Sequence, residues 1–245
     1  MLERCLETLR LLDPPPLEVV VVVGDEFQGE LPGPSDGFPM RVVNRGPGAF
    51  DFSKAINSGL LACQGELALM LNDDIEAETP DWLGQMAAHL EDPTIGAVGA
   101  ALVYPDRSIQ HIGIEIEEAH PIHSLRGCPL SDTSAHRVDA ARDVISVTGA
   151  CLLARRRDLL AVGALSPVFP ASYGDIDLCL RLLRSGFRVV VEPASILVHH
   201  ESASREPVIE PWEWERFVHR WGEMTDPWRH LRDHRPDGTG PRIHP

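Results

Sequence analysis

The sequence predicts an α/β protein in which a largely parallel sheet carries helices on both faces. Three observations predict it. Apolar residues recur at helical spacing in some segments, β-branched or continuous apolar runs lie between them, and Pro or Gly marks most of the changes from one to the other. With 245 residues the chain can bury a sizeable core as one main domain.

The elements follow in order. LERCLETLRLL places Leu2, Cys5, Leu6, Leu9 and Leu12 at helical spacing, and Pro14 to Pro16 stop that helix. LEVVVVVGDEF follows as a strand whose unbroken valines predict burial on both faces. MRVVN is a second short strand. FDFSKAINSGLLACQGE predicts a helix with Ser53 as N-cap and Gly65 as C-cap, and with Ile56, Leu60 and Cys63 on one face. ELALMLN is a third strand and PDWLGQMAAHLED a third helix. Such alternation implies crossover connections between parallel strands. After Val98, AVGAALVYPDRSIQHIGIEI and VISVTGACLLARR read as mixed, partly antiparallel strands joined by loops. DIDLCLRLLRSGFRVVVEP returns to a helix, a turn at Gly186 and a strand.

Two regions follow: a main domain over 1–204, and a Pro- and charge-rich appendage over 205–245 that holds Trp212, Trp214, Trp221 and Trp228. Trp214, Phe217 and Trp221 share one helical face. They predict either packing onto the main domain or a surface for an acceptor or partner. The last residues, from about Pro236, read as disordered.

Composition excludes several classes of function. A formal net charge of −15 at pH 7 repels phosphate backbones and argues against non-specific nucleic-acid binding. Five cysteines, odd in number and without CxxC spacing, predict reduced thiols rather than a disulfide framework. Val19 to Val23 is far too short to span a bilayer, and no basic segment with an apolar signal core opens the chain. These features predict a cytoplasmic protein, free or peripheral at the inner face of the membrane.

The third strand ends in Asn72, Asp73 and Asp74. Ligands of open α/β sheets bind at the carboxyl ends of strands. Two adjacent carboxylates there repel each other unless a cation or a hydrogen-bond network offsets them, and hard oxygen ligands suit Mg²⁺ or Mn²⁺. The alternative is that they cap the next turn or stand as solvated loop charges.

Six segments, in order, carry a resemblance to the family 2 glycosyltransferases: FSKAIN, LNDDIEAETPDWL, IGAVGAALVYPDRSIQHIGI, VTGACLLARR, SYGDIDLCLRLLRSGFRVV and ILVHHESASR. The order resembles the subgroup associated with O-antigen, rhamnan and other cell-surface polysaccharide assembly. It covers roughly residues 1–204, with a weaker echo in RWGEMTDP. The resemblance implies a GT-A fold, Rossmann-like, with a mixed, mostly parallel sheet. It also implies inverting, metal-dependent transfer of a sugar from a UDP- or dTDP-linked donor to a glycan or lipid-linked acceptor.

What the resemblance implies for single residues follows motif by motif. Asp175 matches the family's catalytic carboxylate and is the candidate base; the competing reading makes Asp175 or Asp177 the N-cap of the following helix. Gly174 departs from the acidic or Asn residue usual before it. Asp74 is the candidate metal ligand, with Asn72 and Asp73 beside it at the donor site. His199, with His200 as the alternate, matches the histidine that joins metal and diphosphate. Alternation along a strand lets at most one of the two point into the site. Asp25 stands where relatives carry a base-reading Asp. Thr148 and Gly149, within VTGAC, would line the sugar pocket or acceptor side, where small residues let backbone approach a ligand. Gln110 and His111 look family-like without a derivable role.

Relatives of this kind begin with a strand and loop ahead of the helix that LERCLETL resembles. The sequence here opens at that helix. The expectations are a chain that starts late, a sheet that closes differently, or weakened donor binding. Two other functions stay open: a degenerate glycosyltransferase acting as a binding or assembly partner, and a metal-dependent phosphoester hydrolase using Asp73, Asp74, His199 and His200.

Overall fold

A computed structural model describes residues 1–31, 37–117, 120–132, 139–201 and 210–225. Trp228 and the segment from Pro236 lie outside the described residues. The elements run α1 (Leu2–Arg10), β1 (Val19–Val23), β2 (Met40–Asn44), α2 (Phe52–Ala62), β3 (Leu67–Leu71), β4 (Ile75–Ala77), α3 (Trp82–His89) and β5 (Ile95–Val103). They continue with β6 (Ile109–His111), β7 (Ile114–Glu117), β8 (His120–His123), β9 (Arg142–Asp143), β10 (Cys151–Arg155), α4 (Arg156–Ala161), α5 (Gly174–Arg184), β11 (Arg188–His199) and α6 (Pro211–Thr225).

Seven strands form one mixed sheet along the path β3-β10-β5-β11-β4, with β6 on β5 and β9 on β11. β5 and β11 run parallel, whereas β10 is antiparallel to both β3 and β5. Every residue of β5 is buried, as a strand with both faces covered requires. Ala97 and Ala101 pack with Leu60 of α2 and Leu178 and Leu182 of α5. Val98, Ala100 and Leu102 pack with Leu6 and Leu9 of α1 and with Trp82 and Met86 of α3. Helices therefore cover both faces, as the alternating sequence predicts. Gly99 permits a close approach, since a Cβ there would lie 2.5 Å from Cβ of Val147.

Some local expectations are corrected. Among the described residues β1 pairs only with β2, as a separate parallel two-stranded sheet, and its five valines are each half-buried rather than covered on both faces. The continuous apolar run marks a strand, but burial depends on neighbours that periodicity does not reveal. Asp51, not Ser53, caps α2, accepting the Lys54 N–H at 2.7 Å. Ser53 is buried and donates its hydroxyl to the Phe169 carbonyl at 2.6 Å. The helix ends at Ala62 with Cys63, not Gly65, at the C-cap. Asp and Ser are near-equal caps, and the distant Phe169 carbonyl claims the serine.

At the other end of the chain, Phe217 and Trp221 of α6 are buried against Phe169, Ile176 and Leu180. Trp214, Phe217 and Trp221 form the contact face that their helical spacing predicts. No helix among the described residues is long and apolar enough to cross a membrane.

Candidate active site

Backbone pairing brings the end of β3 to the end of β11. Asn72 donates its N–H to the Ala150 carbonyl at 2.9 Å, and the chain then turns into β4, whose Ile75 pairs with His199. The His200 N–H donates to the Asp74 carbonyl at 3.1 Å. Asp74 and His199 are both buried, and His199 Nε2 lies 3.1 Å from Asp74 Oδ1 and 3.4 Å from Asn72 Nδ2. Despite that proximity, Asp74 Oδ1 has no directed hydrogen-bond partner.

Burial pushes the Asp74 carboxyl up, but attraction to a protonated His199, with His200 adding to it, outweighs burial, so the net shift is downward. Asp73 is exposed on the turn, with its carboxyl raised by partial desolvation and by the charge of Asp74. His200 points away, placing Nε2 3.0 Å from Glu76 Oε1. The structure thus brings Asn72, Asp74 and His199 together and leaves Asp73 and His200 beside them.

Asp175 stands at the start of α5. Its N-cap is Tyr173, in the left-handed region at φ 61°, so neither Asp175 nor Asp177 caps the helix. Asp175 Oδ2 accepts the Gly149 N–H at 2.8 Å and Oδ1 accepts the Ile176 N–H at 2.8 Å, which fixes the plane of the carboxylate. A Cβ on Gly149 would press on the Phe52 ring at 3.1 Å and reach Asp175 Cβ at 3.4 Å, so this glycine makes room for the base candidate. At Gly174 a Cβ would meet Ser53 Oγ at 2.9 Å and the Phe169 carbonyl at 3.3 Å, which explains a glycine where a larger residue is expected. Buried Glu213 of α6 accepts the N–H groups of Ala171 and Ser172 at 3.1 and 3.0 Å, holding the loop that leads into α5.

One segment joins the two halves. Gly149 meets Asp175, and the next residue, Ala150, meets Asn72. Its preceding residue, Thr148, donates its N–H to His111 Nε2 at 3.3 Å, and His111 Nδ1 lies 3.0 Å from His123 Nδ1. With Nε2 accepting, His111 carries its proton on Nδ1 and donates it to His123. Burial pushes both rings below the ordinary histidine range, His111 far below it, and the charge of Asp175 opposes the shift at His123.

Rings held neutral in the fold bind protons more weakly than in the unfolded chain. Their contribution to stability is full above the unfolded value of about 6.5 and is lost as pH falls below it. Stability should fall by up to about 1.4 kcal/mol per pH unit for each such proton taken up. Urea unfolding at pH 7.5 and pH 5 checks this. A flat profile, or a slope that persists in His111→Phe, would contradict the assignment.

Asp25 is exposed at the end of β1, accepting Asn44 Nδ2 at 2.8 Å, and no described contact joins it to Asp74, His199 or Asp175. Sequence reasoning missed His123, Glu201 and Glu213. Only Glu201 left a signal, as the residue following the His199–His200 pair.

A buried carboxylate oxygen without a partner, facing an imidazole nitrogen, forms a site that a hard divalent cation fits. Among the described residues no three His, Cys, Asp or Glu side chains converge on a metal position.

Residues 1–142 match the family model for glycosyl transferase family 2, a span that includes Asp74 and ends before Asp175 and His199. The chain is 35% identical over 160 residues to the O-antigen biosynthesis protein RfbC of Myxococcus xanthus, covering 64% of this chain and 12% of that protein. It is 34% identical over 209 residues to the protein y4gI of Sinorhizobium fredii, covering 80% of this chain and 22% of the relative. An N-acetylglucosaminyl-diphospho-decaprenol L-rhamnosyltransferase of Mycobacterium tuberculosis is 26% identical over 240 residues, covering 84% of this chain and 74% of the enzyme. The chain thus spans a small part of the first two relatives. Among solved structures, a mannosyltransferase of Pyrobaculum calidifontis in complex with GDP-Man and Mn²⁺ superposes with a TM-score of 0.56 at 17% identity, over 96% of this chain and 61% of that one. GalNAc-T7 with UDP, GalNAc and Mn²⁺ gives 0.56 at 13% identity, over 76% and 37%. With its mixed sheet flanked by helices carrying a GT-A fold, the chain belongs to glycosyl transferase family 2.

Proposed function

We propose that this chain transfers a sugar from a nucleotide-diphosphate donor to a hydroxyl of a glycan or lipid-linked acceptor, with inversion at the anomeric carbon. The observation that carries the reading is the Thr148–Cys151 segment, which ties the Asp175 carboxylate to the Asn72 turn beside Asp74 and His199. An inverting displacement needs a base on one side of the sugar and charge stabilisation for the leaving group on the other.

Asp175 is the base that takes the proton from the acceptor hydroxyl. Its carboxylate is held by two backbone N–H groups, so it meets the acceptor in one orientation. Asp74 and His199 would hold Mg²⁺ or Mn²⁺, and such an ion, when bound, neutralises charge on the departing diphosphate. The Mn²⁺ named with both structural neighbours supports that choice of ion class. Asn72 fills the remaining side of the pair without adding charge.

A second reading rests on one observation: Asp25, the nucleotide-base candidate, follows β1 of the separate β1–β2 sheet, and no described contact joins it to Asp74, His199 or Asp175. It predicts a folded binding partner without turnover.

Thermal unfolding with UDP, dTDP or GDP, each with and without Mn²⁺, separates the two. Under the first reading one nucleotide together with the metal stabilises the protein, by about 2.7 kcal/mol at a hundred times its Kd. No shift with any pair, in a protein that unfolds cooperatively, would replace the first reading with the second.

A further inference from the structure

Gln110 is buried in β6 and its side chain lies between two charged neighbourhoods. On one side its Oε1 is 2.6 Å from His199 Nδ1, and on the other its Nε2 is 3.2 Å from Glu201 Oε2. The Glu201 carboxylate also receives the Tyr104 hydroxyl at 2.8 Å and Arg126 Nη2 at 3.0 Å. A carboxylate so placed accepts and does not donate, so the amide nitrogen of Gln110 must face it. The amide oxygen then faces His199, and a carbonyl oxygen can only accept. The hydrogen of a neutral His199 ring therefore sits on Nδ1, which leaves the Nε2 lone pair turned toward Asp74 Oδ1 at 3.1 Å. Asn72 Nδ2, 3.4 Å from Nε2, can donate to that lone pair, but Asp74 Oδ1 keeps no hydrogen-bond partner, and a positive centre between the carboxylate and the imidazole nitrogen would offset its charge.

We infer that Gln110, oriented by Glu201, is a positioning residue that holds His199 as the Nδ1–H tautomer and so presents Nε2 to a divalent cation shared with Asp74. The inference rests on the metal-binding reading of Asp74 and His199. Tyr104 and Arg126 extend it: by fixing Glu201 they fix the amide two bonds removed from the cation.

The test joins a spectroscopic readout to a binding one. In the ¹⁵N-histidine spectrum of the whole chain with saturating Mg²⁺ at pH 8, the His199 signal, identified by its loss in His199→Ala, should show hydrogen on Nδ1. In Gln110→Leu that pattern should be lost, and the Kd for Mn²⁺ should rise about 10- to 100-fold. The double variant Gln110→Glu with Glu201→Gln keeps an acceptor facing His199 and a donor facing that acceptor. It should restore the tautomer and most of the affinity.

A bare Nδ1 in the unsubstituted protein would overturn the inference, as would Mn²⁺ binding within about twofold of normal in Gln110→Leu. If Gln110→Leu does not fold, the spectrum of the unsubstituted protein and the double variant decide. Nδ1–H with Mn²⁺ binding no tighter than in Asp74→Ala would instead sink the metal reading and leave the Gln110–His199 contact standing.

Discussion

Asp175→Asn is expected to lower kcat for sugar transfer by about 10²- to 10⁴-fold, the usual share of a positioned general base, which is about 2.7 to 5.5 kcal/mol of barrier. The amide is nearly isosteric, and its oxygen can still accept the Gly149 N–H that now meets Oδ2 at 2.8 Å, while the adjacent Ile176 N–H at the helix start gives up its contact with Oδ1. Fold and donor affinity should therefore persist while the proton acceptor is lost. Steady-state transfer measured beside the melting temperature reads both. Transfer within a few-fold of normal would remove Asp175 as the base. The same variant separates transfer from phosphoester hydrolysis, because a hydrolase working through Asp74 and His199 would keep its turnover.

Two residues along, Asp177→Ala should give the opposite phenotype. Asp177 is fully buried and receives Arg181 at 2.9 Å, Arg220 at 3.1 Å and the Trp221 indole N–H at 3.0 Å. Removing it strands the buried Arg181 guanidinium without its carboxylate, a change that costs about 3–5 kcal/mol. In a chain of this length that corresponds to a melting temperature lower by about 6–20 °C. Arg181 also reaches the carbonyls of Val162 and Ala164, so part of its hydrogen bonding survives and the loss should stop short of complete unfolding. A melting temperature unchanged by the substitution would show that Arg181 finds solvent instead. The pair of acids thus divides labour by position on α5: the second helical residue meets the Thr148–Cys151 segment, and the fourth meets α6.

Most elements were legible because periodicity reports them locally. The helical spacing of Leu2, Cys5, Leu6 and Leu9 marked α1, and the turn at Gly186, with φ 89°, marked the passage from α5 to β11. Alternation along β11 also gave different environments to His199 and His200. Contacts between distant residues were not legible. Ser53 looks like a cap because its hydroxyl chemistry is local, yet its partner is Phe169, 116 residues away. Gln110 and His111 stood out as a dipeptide, but their roles depend on His199, Glu201, His123 and Thr148, which only the sheet assembles. Tyr173 gave no sign of its left-handed backbone, since glycine is the residue that normally announces one.

The separate β1–β2 sheet has a consequence for how the molecule comes apart. A two-stranded ribbon is marginal by itself. Here it leans on α2, where a Cβ on Gly59 would sit 3.1 Å from Val22, on the core cluster around α1 and α3 through Val19 and Met40, and on polar ties from Glu18 to Gln64 and from Arg41 to Ala62. No backbone ladder joins it to the seven strands beside it. The flank can therefore open as its own cooperative unit while the β5–β11 centre stays closed. The described tryptophans, Trp82, Trp212, Trp214 and Trp221, all sit on α3 and α6. A melt followed by indole fluorescence reports chiefly the surroundings of α3 and α6, whereas amide exchange also reads β1 and β2 directly.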